Sequence, residues 1–280
     1  MRFVRFRVLC VFVVSLFAAM PVLAQQAPAP TFEVATIKQN KSGDTLSGVQ
    51  RQPGGRLTIT NQSVRTMITF AYRITGYQVV GGPGWTDSDR FDVLAKIEGR
   101  PEVIVPGSLE PDSSQLALRK LLADRFKLKL HREMRELDVY ALTMAKPGTR
   151  GPGLTPSGSD CAAMAEQLRQ GKKLPPAGRT ATGAVPCSIL GGAGRISFDG
   201  YGMAQVANML IGQAGRMVVD RTGLSGSWQF VLTFAPEGAT DSNAPSLFTA
   251  LQEQLGLKLE SGKSPVEVTV IDSIEHPTED

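Results

Sequence analysis

The sequence has few of the residues that catalytic and metal sites most often use. It contains two histidines and three cysteines among 280 residues. A tetrahedral zinc site takes four nitrogen or sulfur ligands, so two widely spaced thiols without a nearby histidine supply half of one. No serine lies in a G-x-S-x-G elbow, and the glycine-rich stretches at 81–84 and 191–194 lack the lysine and serine of a phosphate loop. We therefore predict no catalytic residue, no bound metal and no cofactor.

Long apolar runs are also scarce, and the clearest one stands at the amino terminus. Arg2, Arg5 and Arg7 precede an apolar run at 8–19, and small residues end the segment at Ala24. This order is typical of a secretory signal peptide cleaved before Gln25. The run is shorter than the roughly 20 residues that span a bilayer. We expect an exported protein, periplasmic or extracellular, with no stable membrane span after cleavage.

The mature chain has almost no net charge. Removing residues 1–24 takes away three of the 30 basic residues and none of the 26 acidic ones, which leaves a net charge of +1. Nucleic-acid binding requires a concentrated basic face, so we expect no nucleic-acid partner. Cleavage also removes Cys10 and leaves an even pair, Cys161 and Cys187. In an oxidising compartment this pair predicts one disulfide.

One stretch of the sequence occurs twice, 139 residues apart. The first copy begins at Gly55 and the second at Gly194, and each has a strand-like run, an amphipathic helix and a second strand-like run. Apolar residues recur at helical spacing in each copy. These residues are Val64, Met67, Ile68 and Ala71 in the first copy, and Met203, Val206, Ala207 and Leu210 in the second.

The likeness continues at smaller offsets, as expected when loops differ in length. A strand pattern at 91–97 matches 228–234 at an offset of 137, and a second helix matches at 129. The matched helix positions are Leu118, Leu121, Leu122 and Phe126 with Leu247, Ala250, Leu251 and Leu255. Each unit reads β-α-β-β-α-β-β. We predict an α+β protein of two tandem units, each a small sheet with two helices on one face.

The predicted domain map has six parts, which are residues 1–24 (signal peptide), 25–55 (tether, strand and loop), 56–146 (unit one), 147–193 (Gly/Pro-rich linker with the disulfide), 194–272 (unit two) and 273–280 (polar tail). Within it, a strand covers 32–37, a loop covers 40–55, and the first helix of unit one ends at Gly76. Unit one closes with strands at 127–132 and 137–145 joined by a charged turn. A short helix lies near 162–168.

Several phrases of the sequence resemble a known family. GGPGW at 81–85, LLADRFKL at 121–128 and VVDRTGLSG at 218–226 are similar to the soil-associated family of exported bacterial proteins. The resemblance implies an exported domain of unknown function, found alone or fused to sensor-type membrane peptidases. The order of elements at 251–270 is also similar to the short N-terminal domain of secretins and TonB-dependent transporters, which implies a periplasmic protein-interaction module by analogy of fold.

We therefore expect a non-catalytic module that binds an envelope protein or peptide. Small sheets with free edge strands bind by accepting a partner's strand, and the candidate edges are 77–80 and 217–220, with Val79 and Val218 at their centres. The alternative is a hydrolase or sugar-active enzyme, which needs two carboxylates in a cleft. His131 and Glu133 share one strand face, but the second copy has Glu260 in place of His131, which favours a solvated sheet face.

Overall fold

The computed structural model describes residues 30–52, 54–98, 111–172, 178–180, 182–192, 194–236, 238 and 243–278. The predicted signal peptide and residues 25–29 of the predicted tether, which runs to Pro30, lie outside these residues. Within them the fold is α+β, with twelve strands in three four-stranded sheets. The α-helices of this part are short, and none is long and apolar enough to cross a membrane.

The first sheet is antiparallel and belongs to the first half of the chain. It contains β1 (Phe32–Gln39), β2 (Gly48–Gln52), β3 (Arg56–Ser63) and β5 (Arg90–Ile97), in the order β1-β5-β3-β2. Alternate residues of β5 are buried, which gives the sheet one apolar face. Helices α1 (Val64–Tyr72) and α3 (Ser113–Arg125) bury their apolar stripes in the same core.

The central sheet joins the two halves of the chain. It contains β4 (Val79–Gly81), β6 (Lys129–Met144), β10 (Val218–Asp220) and β12 (Leu257–Ser273), in the order β10-β6-β12-β4. The long strands β6 and β12 pair antiparallel along their whole length. The short strand of each half lies parallel to the long strand of the other half, β4 beside β12 and β10 beside β6.

The third sheet belongs to the second half. Its strands are β7 (Thr155–Pro156), β8 (Ile189–Gly192), β9 (Arg195–Tyr201) and β11 (Trp228–Thr233), in the order β7-β11-β9-β8. The helices of this half are α5 (Met203–Ala214) and α6 (Leu247–Ala250), and α6 continues directly as a π-helical turn, Leu251–Leu255. Two further short helices are α2 (Trp85–Ser88) and α4 (Cys161–Arg169).

Two hydrophobic cores lie under these sheets, one for each half. The first combines the first sheet with α1 and α3, and the second combines the third sheet with α5 and α6. The long strands serve both cores. Val139 and Leu142 of β6 lie in the second core, while Leu128, just before β6, lies in the first. Similarly, β12 places Leu257 in the second core and Ile271 in the first.

Several predicted boundaries are wrong. Helix α1 ends at Tyr72 rather than at Gly76, because Arg73 adopts a left-handed conformation (φ 56°) that stops the helix. The predicted strand at 77–80 begins later, since Tyr77 lies in a 3-10 turn. The charged turn at 133–136 is continuous strand within β6. The predicted loop at 40–55 contains β2, and the predicted linker contains β7, α4 and β8.

The element bounds of the two halves follow the offsets seen in the sequence. Strands β4 and β10 begin 139 residues apart, as do helices α1 and α5. Val79 lies beside Thr269 and Val218 lies beside Tyr140, so the two short strands have equivalent registers on their long partners. The interpretation as two tandem copies stays a prediction, and the shared central sheet shows that neither half keeps all its strands to itself.

Candidate binding edge of the central sheet

The two predicted edge residues lie at opposite ends of the central sheet. Val79 is in β4 and Val218 is in β10, which are the outermost strands in the order β10-β6-β12-β4. Each strand is three residues long and is paired on one side only within the described part of the chain. An outermost strand directs alternate backbone groups away from its sheet, where a further strand can bond to them.

In the first half, an arginine covers this edge. Arg65, near the start of α1, donates from Nη1 to the carbonyl of Val79 (2.7 Å) and from Nη2 to the carbonyl of Gly81 (2.9 Å). Asp87 of α2 accepts from Nε and Nη2 of the same guanidinium and holds it in place. The outward carbonyls of β4 are therefore already bonded. An added strand would have to displace Arg65.

In the second half, an alanine stands at the position of this arginine. The amide of Tyr140 donates to the carbonyl of Met217 (2.7 Å), and the amide of Arg221 donates to the carbonyl of Leu142 (2.9 Å). The Met217 carbonyl and the Arg221 amide, which flank β10, therefore face β6. Because successive residues of a strand direct their groups to opposite sides, Val218 and Asp220 direct theirs outward. The position equivalent to Arg65, 139 residues later, is Ala204, which is exposed and whose methyl group donates no hydrogen bond.

The comparisons with known proteins give a family but no activity. Residues 65–274 match the family described as "Protein of unknown function (DUF3738)". The chain belongs to this family. No curated protein and no solved structure matches the chain. The DUF3738 match extends from Arg65 to the end of β12, so it contains both edges of the central sheet.

Cys161 and Cys187 of this DUF3738 chain form the predicted disulfide. Sequence reasoning missed Asp199, which lies fully buried beside them. Its carboxylate accepts from the Cys187 amide and from Ser157 Oγ, each at 2.8 Å. The only signal was an acidic residue near the middle of strand β9, which has no other charged residue after Arg195. Burial, and then the charge of Asp199, raise the pKa of Tyr201, whose hydroxyl donates to the Cys187 carbonyl (3.0 Å).

The Asp199 carboxylate and the two cysteine sulfurs lie within 4.8 Å of one another, a spacing that suits metal ligands. The sulfurs are bonded to each other, whereas a metal ligand is a thiolate. The polypeptide also leaves little room at this point. A side chain on Gly200 (φ +89°) would overlap Cys161 Sγ. These residues of the DUF3738 fold therefore anchor α4 and β8 to β9.

Both histidines of the chain lie beside carboxylates. His131 Nδ1 is 2.6 Å from Asp272 Oδ1, and its Nε2 is 3.6 Å from Glu133 Oε2. The structure thus brings the predicted pair His131 and Glu133 together, with Asp272 as a closer partner that sequence reasoning missed. The hydrogen bond with Asp272 is the main cause that raises the pKa of His131. All three side chains are substantially exposed.

The carboxy-terminal residues are bound to the first half rather than extending from it as a free polar tail. The amide of Glu275 donates to the carbonyl of Phe126 (2.7 Å). The ring of His276 stacks on Trp85 with centroids 3.8 Å apart, and its Nε2 is 3.0 Å from Asp89 Oδ2. That hydrogen bond is the main cause that lowers the pKa of Asp89. The contacts of His276 are therefore those of a packing residue.

Proposed function

We propose that this DUF3738 chain is an exported, non-catalytic binding module of the cell envelope. Its partner is an extended segment of an envelope protein or a peptide, which adds as a strand beside β10 at Val218. In this mode of recognition, backbone hydrogen bonds supply affinity and alternate side chains supply selectivity. The observation that carries the proposal is the difference between Arg65, which covers the carbonyls of β4, and Ala204 at the equivalent position beside β10.

The geometry favours Val218 over Val79 as the binding edge. At β4, a partner would first have to break two charge-assisted hydrogen bonds of Arg65, and such bonds are about twice as strong as neutral ones. At β10, Ala204 stands in place of the arginine and has no side-chain hydrogen bond that a partner would have to break. The backbone of Asp220 is also presented in a fixed position, because its side chain accepts from the amide and hydroxyl of Thr222.

The test is to install the missing arginine. Peptides are first selected from a random displayed library on the chain lacking residues 1–24, and their affinity is measured by fluorescence anisotropy. Ala204→Arg should weaken binding by about tenfold or more, because two backbone hydrogen bonds of about 0.5–1.5 kcal/mol each are lost. Ala204→Glu is the matched control. It has a long charged side chain without a donor, and should leave affinity within about threefold, the range of a surface substitution.

Proline at Val218 gives an independent check. The amide of Val218 points outward, so proline removes a donor from the free edge without removing a bond to β6. Binding should fall, while the far-ultraviolet circular dichroism spectrum stays that of the unmodified protein. The exposed outer strand β8, with Ile189 and Leu190, is the competing edge. Peptides that bind the Ala204→Arg variant with normal affinity but no longer bind the Gly191→Pro variant would overturn the assignment to β10.

A further inference from the structure

A pocket of about 640 Å³ opens in the second half, beside the start of β10. Its large apolar lining residues are Tyr140, Phe234, Leu247 and Phe248, and the carboxy-terminal end of α5, residues 212–215, also lines it. Tyr140 is the register partner of Val218. The pocket therefore borders the strand that the proposed function assigns to the partner.

The equivalent position in the first half is closed by two side chains of α3. Gln115 Nε2 donates to the carbonyl of Phe70 (3.1 Å), and Arg119 Nε donates to the carbonyl of Ala71 (2.9 Å). The Arg119 guanidinium also lies 4.6 Å from the ring centroid of Tyr72. These contacts tie α3 to the last turn of α1 and fill the space between the two helices.

In the second half, both bridging side chains are replaced. At the offset of 129 residues that relates α3 to α6, Ala244 occupies the position of Gln115 and Phe248 occupies the position of Arg119. Neither side chain can donate a hydrogen bond. Helix α5 also runs to Ala214, one turn further than its equivalent. Its last residues, 212–214, line the pocket, and the last carbonyl groups of a helix have no partner within the helix.

The chemistry of the lining selects an uncharged ligand. None of the described residues that line the pocket is charged. The carboxy-terminal end of α5 carries partial negative charge, which disfavours an anion. The guanidinium of Arg216 already lies 4.8 Å from the ring centroid of Tyr140, which disfavours a second cation there. Phe248 packs edge-on against Tyr140 with centroids 5.5 Å apart and remains 39% exposed, so an aromatic surface is available.

We infer that this pocket receives an uncharged aromatic side chain bearing a hydrogen-bond donor, a tryptophan or tyrosine of the strand that adds to β10. The ring packs against Phe248 and Tyr140, and its N–H or O–H donates to the terminal carbonyls of α5. This inference rests on the proposed function, because strand addition at Val218 is what brings a partner side chain to the mouth of the pocket.

The test uses N-acetyl-tryptophanamide as the probe and the isotope-labelled chain without residues 1–24 as the target. Titration should give saturable nuclear magnetic resonance shifts at residues 212–215 and at Phe248. N-acetyl-alaninamide and N-acetyl-argininamide should give none. Gly212→Leu fills the pocket and should lower the affinity for the probe by about tenfold. A side chain at Gly212 meets open space, and leucine favours the helix over glycine, so the variant should fold.

Two further variants complete the experiment. Phe248→Ala removes one of the aromatic rings that line the pocket and should also weaken binding of the probe. Gly262→Leu, which places leucine in open space on β12, should not. A probe response that is absent, or unchanged in Gly212→Leu, overturns the inference. If Ala204→Arg weakens binding of the selected peptides but Gly212→Leu does not, the pocket assignment fails and strand addition stands. If the probe binds as expected but Ala204→Arg weakens no peptide, the link between the pocket and β10 fails together with the proposed function.

Discussion

His131 is an exposed residue whose two ring nitrogens both face carboxylates. The hydrogen bond with Asp272 raises its pKa above the ordinary 6.5, and Glu133 adds to the effect. A raised pKa means that the folded protein binds the proton more tightly than the unfolded chain. The stabilising contribution is therefore complete below the ordinary pKa and is lost as the pH rises through the raised pKa. Because all these groups are exposed, solvent screening keeps the contribution small.

Titration of the His131 ring protons by nuclear magnetic resonance measures this effect. We expect a midpoint above 6.5 in the intact chain, and a lower one in Asp272→Asn, which removes the charge but keeps the side-chain shape. Lys120→Gln, which alters a separate ion pair with Asp124, serves as the control and should leave the His131 midpoint unchanged. A midpoint at or below the ordinary value in the intact chain would contradict the assignment.

At the scale of single residues, the sequence predicted which residues pair with each other but not the buried or charged residues that lie beside those pairs. The two cysteines outside the predicted signal peptide were enough to predict Cys161–Cys187, because two cysteines allow only one pairing. It could not find Asp199, whose role depends on two residues brought from 12 and 42 positions away. Arg65 and Ala204 were equally visible in the sequence. Their meaning appeared only when β4 and β10 were seen to be outer strands, which is a property of the tertiary fold.

Helix α3 and its equivalent in the second half, α6 with the π-helical turn that continues it, allow a matched pair of core truncations. Leu122 and Leu251 occupy corresponding positions and both are fully buried. Leu→Ala at either should lower the free energy of unfolding by about 2–5 kcal/mol, from lost transfer energy and the cavity that remains. Chemical denaturation measures the loss. Leu94→Ala, at a position 52% exposed, is the control and should cost about 0.5 kcal/mol or less. A similarly small loss at Leu251 would show that the π-helical turn after α6 packs loosely.

At the scale of elements, sequence patterns located those with a clear apolar periodicity and missed the others. Strand β5 and helix α3 were found because their buried residues repeat at strand and helix spacing. Strand β2 has one large apolar residue, Val49, and forms because β3 supplies its hydrogen bonds. The charged middle of β6 resembled a turn, yet it lies between the two cores, where Arg132 pairs with Glu267 (3.3 Å) across the strands.

For the whole molecule, the central sheet makes the two halves depend on each other. Strand β4 pairs only with β12, and β10 pairs only with β6, among the described residues. The strands β6 and β12 also carry residues of both cores. Cutting the chain between the halves would expose an unpaired side along each long strand, and each core would lose apolar contacts from the other half. The halves should therefore fold together as one cooperative unit.

Expressing the halves separately tests this dependence. The fragments 25–146 and 147–280 should each lack a cooperative unfolding transition, because an isolated half leaves its long strand without the partner that covers it. Mixing them, or producing them together, should restore a single transition near that of the intact chain, with a midpoint that rises with concentration as for any two-chain assembly. The intact chain, which should unfold in one step, is the reference. If either fragment unfolds cooperatively alone, its own sheet and helices are sufficient, and the crossed pairing of β4 and β10 joins two domains that were already stable.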